Sequence, residues 1–298
     1  MEYGFVLADV FTEQPFGGNQ LAVFPDARGL SGTDMQALAK EFNFSETAFV
    51  CPLADPDTHR LRIFTPHMEL PFAGHPTIGT ASVLAAGGHG RRQMDEGRMT
   101  FVEVIGPVTV DVHSTFSRMA VMAPFEAPSH RPPLQTIAEA LSLTGEDLLE
   151  CWYGGAGLQF CYVRLASADA VDRAVLDKAV WAADLADGWS PHLYVFAGEF
   201  HSGSTLYARA FVPAVGVDED PATGSAGAGL IGSLTQRSAL PDGEHTLSIR
   251  QGSRMGRPSL IEAGARTEGG RLVGISVGGF TTIVGKGTIT VPNRRAGV

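Results

Sequence analysis

Two stretches of small and apolar residues, each too poor in polar side chains to have a solvent face, constrain this chain more than anything else in it. The first runs Gly79-Thr80-Ala81-Ser82-Val83-Leu84-Ala85-Ala86 and the second Gly224-Ser225-Ala226-Gly227-Ala228-Gly229-Leu230-Ile231. A helix with no polar face has to be surrounded. The residues leading into them also correspond: His75-Pro76-Thr77-Ile78-Gly79-Thr80-Ala81 recurs as Asp220-Pro221-Ala222-Thr223-Gly224-Ser225-Ala226, at an offset of 220 − 75 = 145 residues. Ser45-Glu46-Thr47-Ala48-Phe49-Val50 and Ser190-Pro191-His192-Leu193-Tyr194-Val195 fall at the same offset and share Ser, Val and a polar-to-apolar pattern. Two matches in one register predict a duplicated chain with one buried helix in each half.

Each copy carries helix-start chemistry. His75 and Asp220 stand where an N-cap would accept hydrogen bonds, and proline follows at the first helical position, where its missing N–H costs nothing. A helix N-terminus presents free N–H groups and the positive end of the macrodipole, which suits an anion. The two termini are predicted to meet at one site.

The chain's 298 residues suffice for two domains, and 44% hydrophobic with 18% charged residues is ordinary for a globular protein. A net charge of −10 argues against nucleic acid or an anionic membrane as the main partner, so an anionic substrate needs a local positive field. Met1-Glu2-Tyr3-Gly4-Phe5 lacks the basic region and apolar core of a signal peptide, and no apolar run approaches a membrane span; the expected location is cytoplasmic. Cys51, Cys151 and Cys161 are too few and scattered for a disulfide framework or a zinc site and read as free thiols.

Residue patterns predict strands at 2–10, 20–24, 47–51 and 61–64 and a helix from Ser31 to Phe42, capped by Thr33 with Gln36 three residues on. After the first central helix, the glycine-rich charged segment to Arg98 reads as exposed, and strands follow at 99–104, 108–113 and 119–123. Pro124 to Pro133 holds four prolines and is the linker candidate, which places the N-terminal lobe at 1–124, completed by the last strand at about 286–298, and the C-terminal lobe at 125–285. The second half predicts helices at 134–141, 145–150 and 168–186. Its strands are expected at 159–165, 193–196, 205–212, 246–250, 259–263, 272–277 and 281–291. Many short strands around one apolar helix in each half fit a curled sheet or barrel wrapped on a helix, not a parallel βαβ sheet.

Gly227-Ala228-Gly229-Leu230-Ile231-Gly232 has the spacing of a dinucleotide-binding turn, but it lies inside the predicted central helix, where close packing explains the glycines better. The histidines form no metal-binding pair, and Asp218-Glu219-Asp220 reads more cheaply as an acidic loop than as a Mg²⁺ site, so no metal is expected. Glu46 enters the apolar strand Thr47-Ala48-Phe49-Val50, where partial burial would raise its pKa toward the range of a general base. Taken alone it fits an exposed strand-end glutamate as well. The other half has Pro191 at that position, so a catalytic Glu46 would make the chemistry asymmetric in a symmetric frame.

Six segments together resemble the PhzF family of phenazine-biosynthesis-type isomerases, in order and over nearly the whole chain. They are Asp9-Val10-Phe11-Thr12, Phe16-Gly17-Gly18-Asn19-Gln20-Leu21-Ala22-Val23, Ser45-Glu46-Thr47-Ala48-Phe49, Phe72-Ala73-Gly74-His75-Pro76-Thr77-Ile78-Gly79, Glu219-Asp220-Pro221-Ala222-Thr223-Gly224-Ser225-Ala226 and Gln251-Gly252-Ser253-Arg254-Met255-Gly256-Arg257-Pro258. The resemblance implies an α+β fold like that of diaminopimelate epimerase: two pseudo-symmetric lobes, each a mostly antiparallel β-barrel around a central apolar helix, with the active site in the cleft between them. It implies a cofactor-independent isomerase that moves a carbon-bound proton by a 1,3-shift in a small cyclic or unsaturated carboxylic acid, as in the isomerisation of trans-2,3-dihydro-3-hydroxyanthranilate. Glu46, His75 and Asp220 carry over as catalytic residues. Gly18, Asn19, Ser45, Gly74, Thr223, Gly224 and Ser225 carry over as substrate-binding residues. A cysteine pair of the epimerase type is missing from both helix starts. A cofactor-free epimerase or racemase of another small carboxylate, with His75 and Asp220 as opposed bases, is the nearest alternative; a non-catalytic ligand-binding member is the other. The expected partner is a small carboxylate, with no nucleic acid or membrane, and the resemblance admits a homodimer that nothing in the sequence itself fixes.

Overall fold

The computed structural model describes residues 1–87, 95–238 and 240–292. The chain divides into two units, Met1–Met119 with Gly279–Val298, and Ala120–Gly278. The division falls before the proline-rich segment, not within it, and residues 88–94 and 293–298 of the segments discussed above lie outside the described residues.

In the first unit the order is β1 (Glu2–Val10), β2 (Asn19–Phe24), α1 (Gly32–Phe42), β3 (Glu46–Pro52), β4 (Thr58–Phe64), β5 (Glu69–Leu70), α2 (Gly74–Ala85), β6 (Glu96–Glu103), β7 (Gly106–His113) and β8 (Phe116–Ala120). The second unit holds β9 (Phe125–Glu126), α3 (Leu134–Ala140), β10 (Leu148–Ala156), β11 (Leu158–Leu165), α4 (Ala168–Arg173), α5 (Lys178–Asp184), β12 (Leu193–Ala197) and β13 (Ser204–Val212). It continues with β14 (Val217–Asp220), α6 (Gly224–Arg237), β15 (Gly243–Gln251), β16 (Ser259–Glu268) and β17 (Arg271–Thr290), whose last part belongs to the first unit.

The fold class is α+β, as the sequence predicts. In the first unit β17 runs antiparallel to β1, β1 to β2, β3 to β4, and β6 to β7 and β7 to β8. Two steps are parallel, β2 to β3 and β4 to β6. Pairing of β17 with β8 closes the circuit into an eight-stranded barrel. Inside it every residue of α2 from His75 to Ala85 is buried. Outside, α1 lays Met35, Leu38 and Ala39 on the sheet, beside an aromatic group in which Phe24 and Phe49 stack at 4.8 Å.

The second unit repeats this order. Its parallel steps are β11 to β12 and β13 to β15, and α6, buried through most of its length, packs against β10, β11, β15 and β16. The central helices begin at Gly74 and Gly224, an offset of 224 − 74 = 150, not 145. The counterpart of His75 in the frame is therefore Ser225, and Asp220 precedes its helix.

That shift has a physical basis. Ala73 is the N-cap of α2, so His75 is not a cap and Pro76 occupies the third helical position. None of the first four N–H groups has an intrahelical acceptor, so proline marks the first turn without marking its first residue. In the second copy, Asp220 is still paired with Ala210 in β14, and the helix waits for Gly224, with Thr223 as N-cap. Likewise Ser31, not Thr33, caps α1 and accepts from Asp34 N–H at 3.1 Å.

Three further expectations change. The helix predicted over 168–186 is two, because Val175 and Asp177 N–H donate to Leu141 O and Ala140 O at 2.9 and 2.8 Å, and Asp177 then caps α5. The helix predicted at 145–150 is a single 3-10 turn, Gly145–Asp147, followed by β10, a strand the pattern did not suggest. The two final strands are one, β17.

The glycines of the dinucleotide-like spacing lie within α6, facing packed neighbours. A Cβ on Gly229 would stand 2.2 Å from the Tyr162 hydroxyl oxygen, which donates to Ala226 O at 2.9 Å. Gly229→Ala should therefore cost about 1–3 kcal/mol of stability, measured by chemical denaturation; an unchanged midpoint would mean that the helix has room in its surroundings.

Candidate active site

The strand ends of β2 and β3 and the start of α2 assemble a polar group at one rim of the first unit's barrel. Leu21 pairs with Glu46 across β2 and β3, which sets Glu46 at the strand entrance. Asn19 is 3% exposed and accepts the Ser45 hydroxyl at 3.1 Å. The turn delivering Asn19 is held from within: Asp9 accepts Phe16 N–H at 2.7 Å, and the Thr12 hydroxyl both donates to Gln14 O and accepts Gln14 N–H at 3.1 Å. At Gly18, φ is 61° and a Cβ would stand 2.3 Å from Val10 O, so no other residue fits that corner.

Glu46 Oε2 lies 3.5 Å from His75 Nε2, the two side chains being 18% and 7% exposed. Burial pushes the Glu46 carboxyl up to about 7, opposed by the Ser45 hydroxyl. Oε2 is buried and accepts no hydrogen bond from the described residues. Such a carboxylate is poised to take a proton and give it back at neutral pH, because its two protonation states are nearly balanced. Beside it, the first turn of α2 directs the Gly74 and His75 N–H groups out of the helix end, where no intrahelical acceptor exists.

The second unit builds a group held by more hydrogen bonds. Asp220 Oδ2 accepts the Thr223 hydroxyl at 2.6 Å. Gln251, fully buried, donates from Nε2 to Asp220 O at 2.7 Å and to Thr223 Oγ1 at 2.9 Å, while its Oε1 accepts from Tyr194 at 2.9 Å. Gly224 and Ser225 form the first turn of α6. The acidic run before it is engaged throughout: Asp218 pairs with Lys178, Glu219 with Arg209, and Asp220 with Thr223.

The structure thus brings Asn19, Ser45, Glu46 and His75 together in the first unit, with Gly18 shaping their turn and Gly74 opening the helix, and it gathers Asp220, Thr223, Gly224 and Ser225 in the second. Sequence reasoning gave no role to Asp9 or Gln251. Both sit in the quoted motifs, but their task, bracing backbone, shows only when the turn and the helix entrance are folded.

A family model described as phenazine biosynthesis-like protein, PhzC-PhzF, matches residues 8–287. The chain belongs to this family. It is 37% identical over 307 residues to an uncharacterised isomerase of Mesorhizobium japonicum, covering 96% of this chain and 98% of that protein. It is 35% identical over 280 residues to trans-2,3-dihydro-3-hydroxyanthranilate isomerase of Pseudomonas aeruginosa, covering 92% and 95%. Its fold is that of the crystal structure of a Bacillus anthracis PhzF-family protein, with a TM-score of 0.85 at 24% identity over 98% of this chain and 100% of that one. This PhzF-family protein is an isomerase.

The raised carboxyl has a stability signature. A group held above its unfolded pKa contributes stability that is complete below the unfolded value, 4.5, and lost as pH rises through about 7. Glu46→Gln removes that loss. Its advantage over the wild type should grow from near zero at acid pH to a plateau of up to about 3 kcal/mol above neutrality, read from denaturation curves across pH. A constant difference would place the Glu46 pKa in the ordinary range.

Proposed function

We propose that this isomerase moves a carbon-bound proton by a 1,3-shift in a small cyclic or unsaturated carboxylic acid, without a cofactor, on a substrate of the trans-2,3-dihydro-3-hydroxyanthranilate type. The observation that carries the reading is Glu46: partly buried, with its pKa pushed up to about 7 and Oε2 3.5 Å from His75 Nε2. One base suffices for a 1,3-shift, since the proton taken from one carbon is returned to another two atoms away. A carboxyl near neutrality serves both halves of that transfer. His75, with Nε2 3.5 Å from Glu46 Oε2, is assigned to stabilise the charge that develops as the proton moves.

The α2 N-terminus supplies N–H donors and a positive dipole end for the substrate carboxylate, which answers the need for a local positive field in an acidic chain. Gly18, Asn19 and Ser45 shape the wall beside Glu46. Asp220, fixed by Thr223 and Gln251, is assigned to a substrate hydroxyl or amine, and Thr223, Gly224 and Ser225 to a polar group of the substrate. The 35% identity to a relative named as the dihydro-hydroxyanthranilate isomerase supports the substrate class.

Incubation with trans-2,3-dihydro-3-hydroxyanthranilate in D₂O should place one deuterium at the ring carbon that gains the proton. Glu46→Gln should lower kcat by about 10²–10⁴ with ligand binding retained within a few-fold. Retained turnover would remove Glu46 from the role of base. Deuterium at the α-carbon without a shift would mean an epimerase, and saturable binding without any exchange a binding protein; either would sink the proposal.

A further inference from the structure

A second carboxyl, outside the group just described, touches the same helix. Glu103 ends β6, is 7% exposed, and its Oε1 lies 2.8 Å from Thr77 Oγ1. Thr77 is fully buried on the first turn of α2, two residues from His75, and its Oγ1 also lies 2.8 Å from Ala73 O, the carbonyl of the helix cap. Ala73 O receives the Thr77 N–H only at 3.4 Å.

A hydroxyl has one proton and two acceptor lone pairs. If Glu103 were ionised, two acceptors at 2.8 Å would compete for that proton, and Oε2, which accepts no hydrogen bond from the described residues, would be a buried charged oxygen without a donor. With the proton on Oε1, every short contact closes. Glu103 donates to Thr77, Thr77 donates to Ala73 O, and Oε2 is the carbonyl oxygen of a neutral acid, which is cheaper to bury unpaired.

We infer that Glu103 is a positioning residue: held as a neutral carboxylic acid, it donates to Thr77 Oγ1, frees the Thr77 proton for Ala73 O, and so fixes the first turn of α2 that carries His75. The functional half of this inference rests on the His75–Glu46 reading above; the protonation half does not. Burial pushes the Glu103 carboxyl up to about 8, against the pull of the Thr77 hydroxyl. Titratable and charged groups on the surrounding elements are His75 with Glu46 on α2 and β3, His59, Arg60 and Arg62 with Glu69 on β4 and β5, and Arg98 with Asp111 on β6 and β7. Glu2 and Asp9 on β1, Glu96 with His113 on β6 and β7, and Arg118 on β8 belong with them. None of them is among the influences on Glu103, which are burial and Thr77.

Above its pKa Glu103 loses the donated bond, and the helix start loosens. The wild type should therefore show an alkaline limb above about pH 8, with kcat for trans-2,3-dihydro-3-hydroxyanthranilate falling about tenfold while KM changes little. Glu103→Gln keeps an N–H donor that cannot ionise and should flatten that limb; Glu103→Ala, with no donor, should lower kcat at every pH. Independently of any substrate, the Glu103 carboxyl resonance in ¹³C-labelled protein, assigned by its loss in Glu103→Gln, should titrate several units above an ordinary glutamate. The thermal midpoint of Glu103→Gln should gain on the wild type between about pH 5 and 8 and level off above. A Glu103 carboxyl that titrates below pH 5, or an alkaline limb unchanged in Glu103→Gln, overturns the inference. If the wild type fails to turn the substrate over, the reading of the site falls, and the carboxyl titration and the midpoints still decide whether Glu103 is neutral.

Discussion

Helix α2 has no face for solvent, and much of the first unit follows from that constraint. Enclosing eleven consecutive residues from His75 to Ala85 takes sheet on all sides, which here means a closed circuit of eight strands. Enclosure leaves little space, so the helix is built of small residues and the sheet comes close. It also removes water from the polar side chains of the helix, and some of them find partners inside the barrel. Ser82 does so with Ser117 at 2.7 Å, and Thr77 with Ala73 and Glu103 at 2.8 Å. Glu46 and His75 lie at the start of that helix, where the first-turn N–H groups have no intrahelical acceptor.

The two units use charge differently. In the second, Asp220 receives a hydroxyl at 2.6 Å and its backbone is clamped by Gln251, while its neighbour Glu219 is locked to Arg209 at 2.8 Å. Charge-assisted bonds of this kind hold the carboxylates in place. In the first, Glu46 and Glu103 both lack donors on one oxygen and both are pushed up by burial. What separates them is access: Glu46 is 18% exposed beside an imidazole, Glu103 is 7% exposed beside a hydroxyl. The same desolvation thus acts on one partly exposed carboxyl and on one that is buried.

The buried central helices were legible in the sequence because an absence of polar residues over two helical turns admits one reading. The duplication was legible too, but its register was not. Five residues of slip separate the motif likeness from the helix starts, since Pro76 lies inside a first turn and Pro221 lies before one. Proline is tolerated at either place, so it could not choose between them. The strand β10 escaped because Cys151-Trp152-Tyr153-Gly154-Gly155-Ala156 alternates in no simple way; it is buried on both faces, between β9 and β11 on its edges and against α6. Glu46 could be singled out from its place at the mouth of an apolar strand. Its contact with His75 could not, because twenty-nine residues of chain and a barrel closure separate them.

The corrected register changes the sense of the duplication. With Gly74 matched to Gly224, the residue that follows is His75 in one unit and Ser225 in the other: a group that can carry a proton against one that can only donate and accept a hydrogen bond. The strand that brings Glu46 to its rim has as its counterpart β12, which opens on Leu193, preceded by His192, a buried imidazole whose pKa is lowered to about 4 by burial and which stays neutral. Glu46 and His75 of the first unit thus correspond in the repeat to Leu193 and Ser225, neither of which titrates near neutrality.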